Sequence, residues 1–223
     1  HRVNKKITLS AYFDQFLSPA PRFGADQSTQ GYDWFGLAEI RFTPDLHFYI
    51  QVKNKVKETE YTRIDKLGRE QVQLGEKVRG SLRAQIQYWV NKKIRLRTRG
   101  EVIRAKKAGE PFSYGYLIFQ DLRFTPTKKL TIDTRVTVFE TQDYDSRLYQ
   151  FENGLLYVLS NQMLYGQGER LYGVIRYKAL NWLDIWAKFG VTIYENQRRI
   201  SSGLNEIKGN VQSNIELQIR IKI

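Results

Sequence analysis

Apolar and polar residues alternate along most of this chain, which predicts β-strands with one apolar and one polar face. The alternation is strictest in the stretch 211–223. There one face carries Val211, Ile215, Leu217, Ile219, Ile221 and Ile223, and the other carries Gln212, Asn214, Glu216, Gln218, Arg220 and Lys222. A free edge on such a strand would recruit other chains. We therefore expect a neighbouring strand on each side, or a closed barrel.

The same alternation predicts about ten strands of roughly 10 to 13 residues. They span 6–16, 34–42, 46–55, 82–90, 94–102, 112–124, 130–138, 171–178, 183–194 and 211–223. Very short turns alternate with long polar connections at 17–31, 57–78, 105–111, 140–169 and 195–210. Outer-membrane barrels have this arrangement, and tilted strands of this length cross the hydrocarbon. The sequence therefore predicts an all-β fold: an antiparallel up-and-down transmembrane β-barrel with short turns at one end and long loops at the other.

Aromatic residues lie near the ends of the predicted strands, as in the two aromatic girdles of a membrane barrel. Toward the short turns these are Phe42, Phe48, Tyr88, Trp89, Phe124, Tyr177 and Trp182, and toward the loops Phe13, Trp34, Tyr114, Tyr116, Phe139 and Tyr194. The alternative is that these rings form the core of a soluble β protein.

We treat 1–223 as a single β-barrel domain and expect it to be the C-terminal part of a longer chain. The insertion 140–169 contains two β-like pieces, Leu148 to Phe151 and Leu155 to Leu159, around Asn153-Gly154. This pattern predicts a small hairpin outside the main sheet.

The chain is basic, with 36 Lys and Arg against 23 Asp and Glu and a formal net charge of +13. Such a balance favours anionic partners, namely lipopolysaccharide and other phosphate-rich headgroups, nucleic acid or small anions, although a solvated basic surface would give the same balance. The chain has no cysteine, which excludes disulfides and thiolate metal sites.

If the apolar face meets lipid, the charged residues of the strands point into the lumen. The basic candidates are Arg83, Arg95, Arg97, Arg99, Arg123, Arg135, Lys53 and Lys188, and the acidic candidates are Glu39, Glu101, Asp121 and Asp133. Isolated charges in a narrow lumen are costly, so we expect cross-strand pairs, for example of Arg97 or Arg99 with an acid. Two interpretations stay open: a structural ladder that plugs a small barrel, or a wet, positive lumen that attracts anionic solutes.

Residues for catalysis are scarce. His1 and His47 are the two histidines, and no glycine-rich phosphate loop opens a helix. We therefore predict no enzymatic activity, no catalytic residues, no metal site and no cofactor.

The last third of the chain resembles a known family. The resemblance rests on Asp145-Ser146-Arg147-Leu148-Tyr149, Leu164-Tyr165-Gly166-Gln167-Gly168, Arg176-Tyr177-Lys178, Leu183-Asp184-Ile185-Trp186 and, most specifically, Ser202-Gly203-Leu204-Asn205-Glu206-Ile207-Lys208-Gly209-Asn210. These stretches resemble the C-terminal β-barrel region of helix-hairpin-helix domain-containing (ComEA-like) outer-membrane proteins of Bacteroidota. The helix-hairpin-helix modules that give the family its name are not in this chain, so their nucleic-acid binding is assigned to no residue here. The chain also ends in Ile223, where barrel proteins commonly end in an aromatic residue.

The function expected from the sequence is a porin-like pore or translocation component of the outer membrane, with a basic lumen that favours anionic solutes. One alternative is an accessory barrel whose external loops, the insertion included, bind a partner protein. A soluble ligand-binding β-barrel is the third. The basic loop 57–77 is a further candidate contact for lipopolysaccharide phosphates or nucleic acid.

Overall fold

The computed structural model describes residues 6–21 and 25–222 of the chain. These residues form one ten-stranded antiparallel sheet in the order β1-β2-β3-β4-β5-β6-β7-β10-β11-β14, so strands that follow one another along the main chain are neighbours in the sheet. The strands are β1 (Ile7–Ser18), β2 (Thr29–Arg41), β3 (Leu46–Ile64), β4 (Glu70–Asn91), β5 (Ile94–Lys106), β6 (Phe112–Thr127), β7 (Leu130–Thr141), β10 (Gln167–Leu180), β11 (Leu183–Tyr194) and β14 (Val211–Ile221). The all-β, antiparallel, up-and-down architecture predicted from the alternation is therefore confirmed.

The sheet buries its polar face and exposes its apolar face. In β7, Arg135 is 1% exposed and its neighbour Val136 is 51% exposed, and in β11 the values are 2% for Lys188 and 45% for Phe189. In a water-soluble sheet the apolar side chains would be the buried ones, because removing apolar area from water drives folding. We call these two surfaces the polar face and the apolar face.

The two ends of the strand order are β1 and β14. Among residues 6–21 and 25–222, β1 forms its ladder with β2 and β14 forms its ladder with β11, and no ladder joins β1 to β14. Closure into a barrel is thus a prediction that these ladders do not test. Ile223, which the sequence assigns to the last strand, lies outside the described residues.

The charged stretch 57–78 is not a loop, and this part of the prediction was wrong. Strand β3 continues to Ile64 and β4 begins at Glu70, so that Lys57 lies opposite Lys77 and Glu58 opposite Glu76. A long hairpin can be polar on both faces because its backbone groups are satisfied by the ladder itself. Asp65 closes the tip by accepting hydrogen bonds from the backbone N–H groups of Leu67 and Arg69 at 2.8 and 2.9 Å.

The segment 142–166 between β7 and β10, which we call the insert, forms its own two-stranded sheet. Its strands are β8 (Leu148–Glu152) and β9 (Ser160–Leu164), apart from the main sheet as predicted. The second strand of this hairpin was predicted at 155–159, which was wrong, because it lies five residues later, at Ser160–Leu164. Leu148 pairs with Leu164, and Glu152 pairs with Ser160. The backbone of Leu156 instead bonds the side chain of Gln218 in β14, at 2.7 Å from its N–H and 3.2 Å to its carbonyl oxygen.

The last connection contains short β12 (Arg199–Ile200) and β13 (Ile207–Lys208), which pair with each other, and a single 3₁₀ turn at Gly203–Asn205. Within the described ranges, no helix is long and apolar enough to cross a membrane.

Candidate functional site

All twelve candidate residues lie on the polar face. Directly opposed residues of antiparallel strands share a face, and the register links the strands through pairs such as Arg83 with Glu101, Arg97 with Asp121, Asp121 with Arg135 and Arg123 with Asp133. Lys188 is joined to this set through Val174, which lies opposite both Lys188 and Asp133. Glu39 and Lys53 extend the face to β2 and β3, opposite Tyr49 and Phe35 respectively.

Carboxylates on this face and in the insert are typically shared by two basic side chains. Six of them follow this rule: Asp33 with Lys53 and Lys55, Asp121 with Arg97 and Arg135, Asp133 with Arg123 and Arg176, Asp145 with Lys77 and Lys107, Glu152 with Arg170 and Lys188, and Asp184 with Arg220 and Lys222. Glu101 instead pairs with Arg83 at 2.8 Å. These clusters therefore hold about two cations for each anion and keep a net positive charge despite extensive pairing.

The most buried cluster joins the insert to the sheet. Glu152 in β8 lies 2.6 Å from Nε of Arg170 and 3.0 Å from Nζ of Lys188, and all three side chains are at most 3% exposed. Burial disfavours the charged form of Glu152, but the hydrogen bonds and charges of Arg170 and Lys188 outweigh burial and hold its pKa below the usual value. Arg170 also donates to Thr192 Oγ1 at 2.7 Å, and Lys188 donates to Ser160 Oγ at 2.6 Å.

Hydrogen bonds to neutral acceptors extend this contact along β8. Arg135 donates from its guanidinium to the carbonyl oxygen of Phe151 at 2.9 Å, and Thr137 donates to Gln150 Oε1 at 2.9 Å. Gly115 in β6 permits close approach, because a Cβ at this position would collide with the carbonyl oxygen of Ser146. The insert thus lies on the polar face of the sheet.

A second anchor lies where the insert leaves the loop end of the strands. Asp145 accepts from Lys77 at 2.9 Å and pairs with Lys107 at 3.0 Å. Arg79 donates to the carbonyl oxygens of Asp145 and Arg147. Burial alone would raise the pKa of Asp145, and the two lysines lower it below its usual value.

An apolar cluster closes the same end of the polar face. It consists of Ile103, Leu117, Phe119, Phe139 and Tyr194 from the sheet, Leu148 and Leu164 from the insert, and Ile200 from β12, with Ile207 packed against it. Sequence reasoning did not identify this cluster, and its assignment of Phe139 and Tyr194 to the loop-side aromatic girdle was wrong, because both rings are buried in the cluster. The feature of the sequence that could have indicated this cluster is the presence of Leu117 and Phe119 on the otherwise polar face of the sixth strand, where the alternation is less regular.

The side chains of β3 on the polar face are more accessible. Lys53 and Lys55 are 41% and 48% exposed beside Asp33. A cavity of about 440 Å³ lies near the short turns between β2, β3 and β4, and its polar lining includes Glu39, His47 and Tyr49.

Arg95 and Arg99 are the two predicted lumen cations that have no carboxylate within ion-pair distance among residues 6–21 and 25–222. The expected pairing is confirmed for Arg97 and absent for Arg99, which donates twice to Gln85 Oε1, at 3.0 and 2.7 Å, and lies 4.9 Å from the ring centre of Phe119. Arg95 lies over the ring of Trp89 at 5.8 Å.

Comparison with known proteins gives one structural neighbour to report. No protein-family model matches the chain, and no curated protein matches it. A solved structure described as the NanC porin in a rhombohedral crystal form aligns with 97% of this chain and 100% of its own, at 8% identity and a TM-score of 0.41. A similarity at this level leaves the function to be argued from the chain itself.

Proposed function

We propose that this chain is a transmembrane β-barrel of the outer membrane. The observation that supports this most directly is the inverted polarity of the sheet, with aliphatic and aromatic side chains exposed across neighbouring strands and charged side chains buried behind them. Lipid removes the cost of an exposed apolar face, and the polar face then lines the interior.

As an outer-membrane barrel, the chain acts as a non-enzymatic pore or translocation component that prefers anionic solutes. The sharing of six carboxylates by two cations each supports this preference, because a low-dielectric wall focuses the field of the remaining positive charge on the interior. The solvent-accessible lysines of β3, Lys53 and Lys55, mark the part of the polar face where solutes have access. A soluble ligand-binding barrel fits less well, since its apolar face would have to be covered.

The test is conductance of the folded protein in a planar lipid bilayer under a gradient of potassium chloride. We expect discrete conductance steps and a reversal potential that favours chloride over potassium. A change in gel mobility between boiled and unboiled samples checks independently that a closed barrel has formed. A folded, membrane-inserted protein without conductance, or with cation preference, would contradict the pore assignment.

One observation favours the second candidate, an accessory barrel whose outer segments bind a partner. The insert lies on the polar face and occupies interior space, which counts against an open pore. The β3–β4 hairpin extends the sheet through 57–77, where five basic and five acidic side chains offer charged groups to a partner protein. Under this alternative the planar bilayer shows no conductance steps, and the hairpin binds a partner protein with an affinity that falls as salt rises.

A further inference from the structure

A row of four charged residues crosses the polar face at the end with the short turns. Arg95 in β5 lies opposite Arg123 in β6, and Arg123 lies opposite Asp133 in β7. Arg176 in β10 reaches the same carboxylate, with its guanidinium 3.4 Å from Asp133 Oδ2. We call these residues the turn-end row.

The row holds three guanidinium groups and one carboxylate, and Asp133 is already engaged. Arg123 uses both oxygens of Asp133, with its Nε 2.6 Å from Oδ1 and its terminal nitrogen 3.2 Å from Oδ2. Arg95 has no carboxylate partner in the described part of the chain and lies directly across from another cation. The row therefore keeps an excess of positive charge.

Two donors of the row are also unused. The Nε atoms of Arg95 and Arg176 are buried, and within residues 6–21 and 25–222 they have no hydrogen-bond partner. A buried donor without an acceptor is costly, and this cost is recovered when an acceptor oxygen arrives. Arg176 is still 35% exposed, so its side chain can be reached from the polar side.

We propose that the turn-end row is a binding site for the phosphate group of a soluble solute, held between Arg95 and Arg176 on either side of the Arg123–Asp133 pair. The planar guanidinium donates two parallel hydrogen bonds and matches phosphate oxygens better than an ammonium group does. The site faces the polar interior, away from the apolar face that meets lipid, so the phosphate comes from a solute rather than from a lipid headgroup. The proposal rests on the function proposed above, because it names a site within the interior of that barrel.

The test uses inorganic phosphate as the probe and the full chain folded in detergent. Titration calorimetry should show saturable binding, which Arg95→Gln and Arg176→Gln each weaken about tenfold. Arg95→Lys should lose most of the affinity although it keeps the charge. In bilayers the same concentrations of phosphate should block chloride current.

The matched control is Arg99→Gln, which removes one cation from the same face of the same strand, but one that already donates two hydrogen bonds to Gln85, including one from its Nε. It should reduce chloride preference as Arg95→Gln does, yet leave phosphate affinity within about twofold. Equal loss of affinity in Arg95→Gln and Arg99→Gln, or no saturable phosphate binding by a protein that conducts anions, would overturn the site and leave the pore intact. Saturable binding without any conductance would instead retain the site and remove the pore.

Discussion

The two sides of the polar face handle their charges differently. Beneath the insert, Glu152, Arg170 and Lys188 form an ion cluster that is almost fully out of contact with water. On β3, Lys53 and Lys55 share Asp33 in the same two-to-one ratio but are nearly half exposed. The same arrangement of charges therefore fixes the insert on one side and leaves cations open to solvent on the other.

The largest expected difference comes from removing the shared carboxylate on each side. Glu152→Ala leaves Arg170 and Lys188 buried without a counter-ion and should cost about 3–5 kcal/mol of unfolding free energy. Asp33→Ala leaves lysines that water can solvate and should cost less than about 1 kcal/mol. Urea unfolding of the protein refolded in lipid vesicles measures both, and similar costs would mean that burial by the insert does not distinguish the two sides.

The next effect tests how closely the insert approaches the sheet. Gly115→Ala places a methyl group against the carbonyl oxygen of Ser146 and should destabilise the folded protein by about 1–3 kcal/mol. Gly100→Ala is the matched control on the neighbouring strand, because a Cβ there meets nothing within 4 Å. If both substitutions were neutral in the same unfolding assay, the insert would not be seated on β6 as described.

Acid should weaken the insert side through Glu152. The lowered pKa of Glu152 means that its contribution to stability is fully present above the pKa of the unfolded carboxyl, about 4.3, and is lost as pH falls through the lower folded value. Unfolding free energy measured from pH 6 to pH 3 should thus decline more steeply in the native chain than in Glu152→Ala. Parallel profiles would show that Glu152 does not carry the acid sensitivity.

The smallest effect is expected at the loop-end anchor. Asp145→Asn removes the charge that Lys77 and Lys107 share, and since both lysines are more than a third exposed, the loss of global stability should stay below about 1 kcal/mol. Hydrogen exchange of the insert should nevertheless accelerate, because its first residues are held there. Asp65→Asn, at the remote β3–β4 tip, serves as the control and should leave exchange in the insert unchanged.

Much of this arrangement could be predicted from the sequence. Strict alternation predicted the ten main strands and placed Arg97, Asp121 and Arg135 on one face. Side chains alternate with a period of two, so the register of a strand determines which face each residue occupies. Alternation could not show that the polar residues of 57–64 and 70–78 continue the strands, since a solvated hairpin has no apolar face to mark it.

The location of the insert could not be predicted from the sequence. Its contacts join residues far apart in the chain, such as Glu152 with Lys188 and Leu156 with Gln218, and no local pattern encodes such distances. The one available hint was local: Leu117 and Phe119 are apolar on a polar face and therefore needed a covering partner, which Leu148 and Leu164 provide.

The central claim is that the apolar face meets lipid and the polar face meets water. Because the chain has no native cysteine, single cysteines at Ile215, Glu216 and Leu217 can each carry a spin label in lipid vesicles. We predict that the labels at Ile215 and Leu217 collide more often with oxygen, which concentrates in lipid, and that the label at Glu216 collides more often with a water-soluble nickel complex. Equal access of the nickel complex to all three positions would contradict the account.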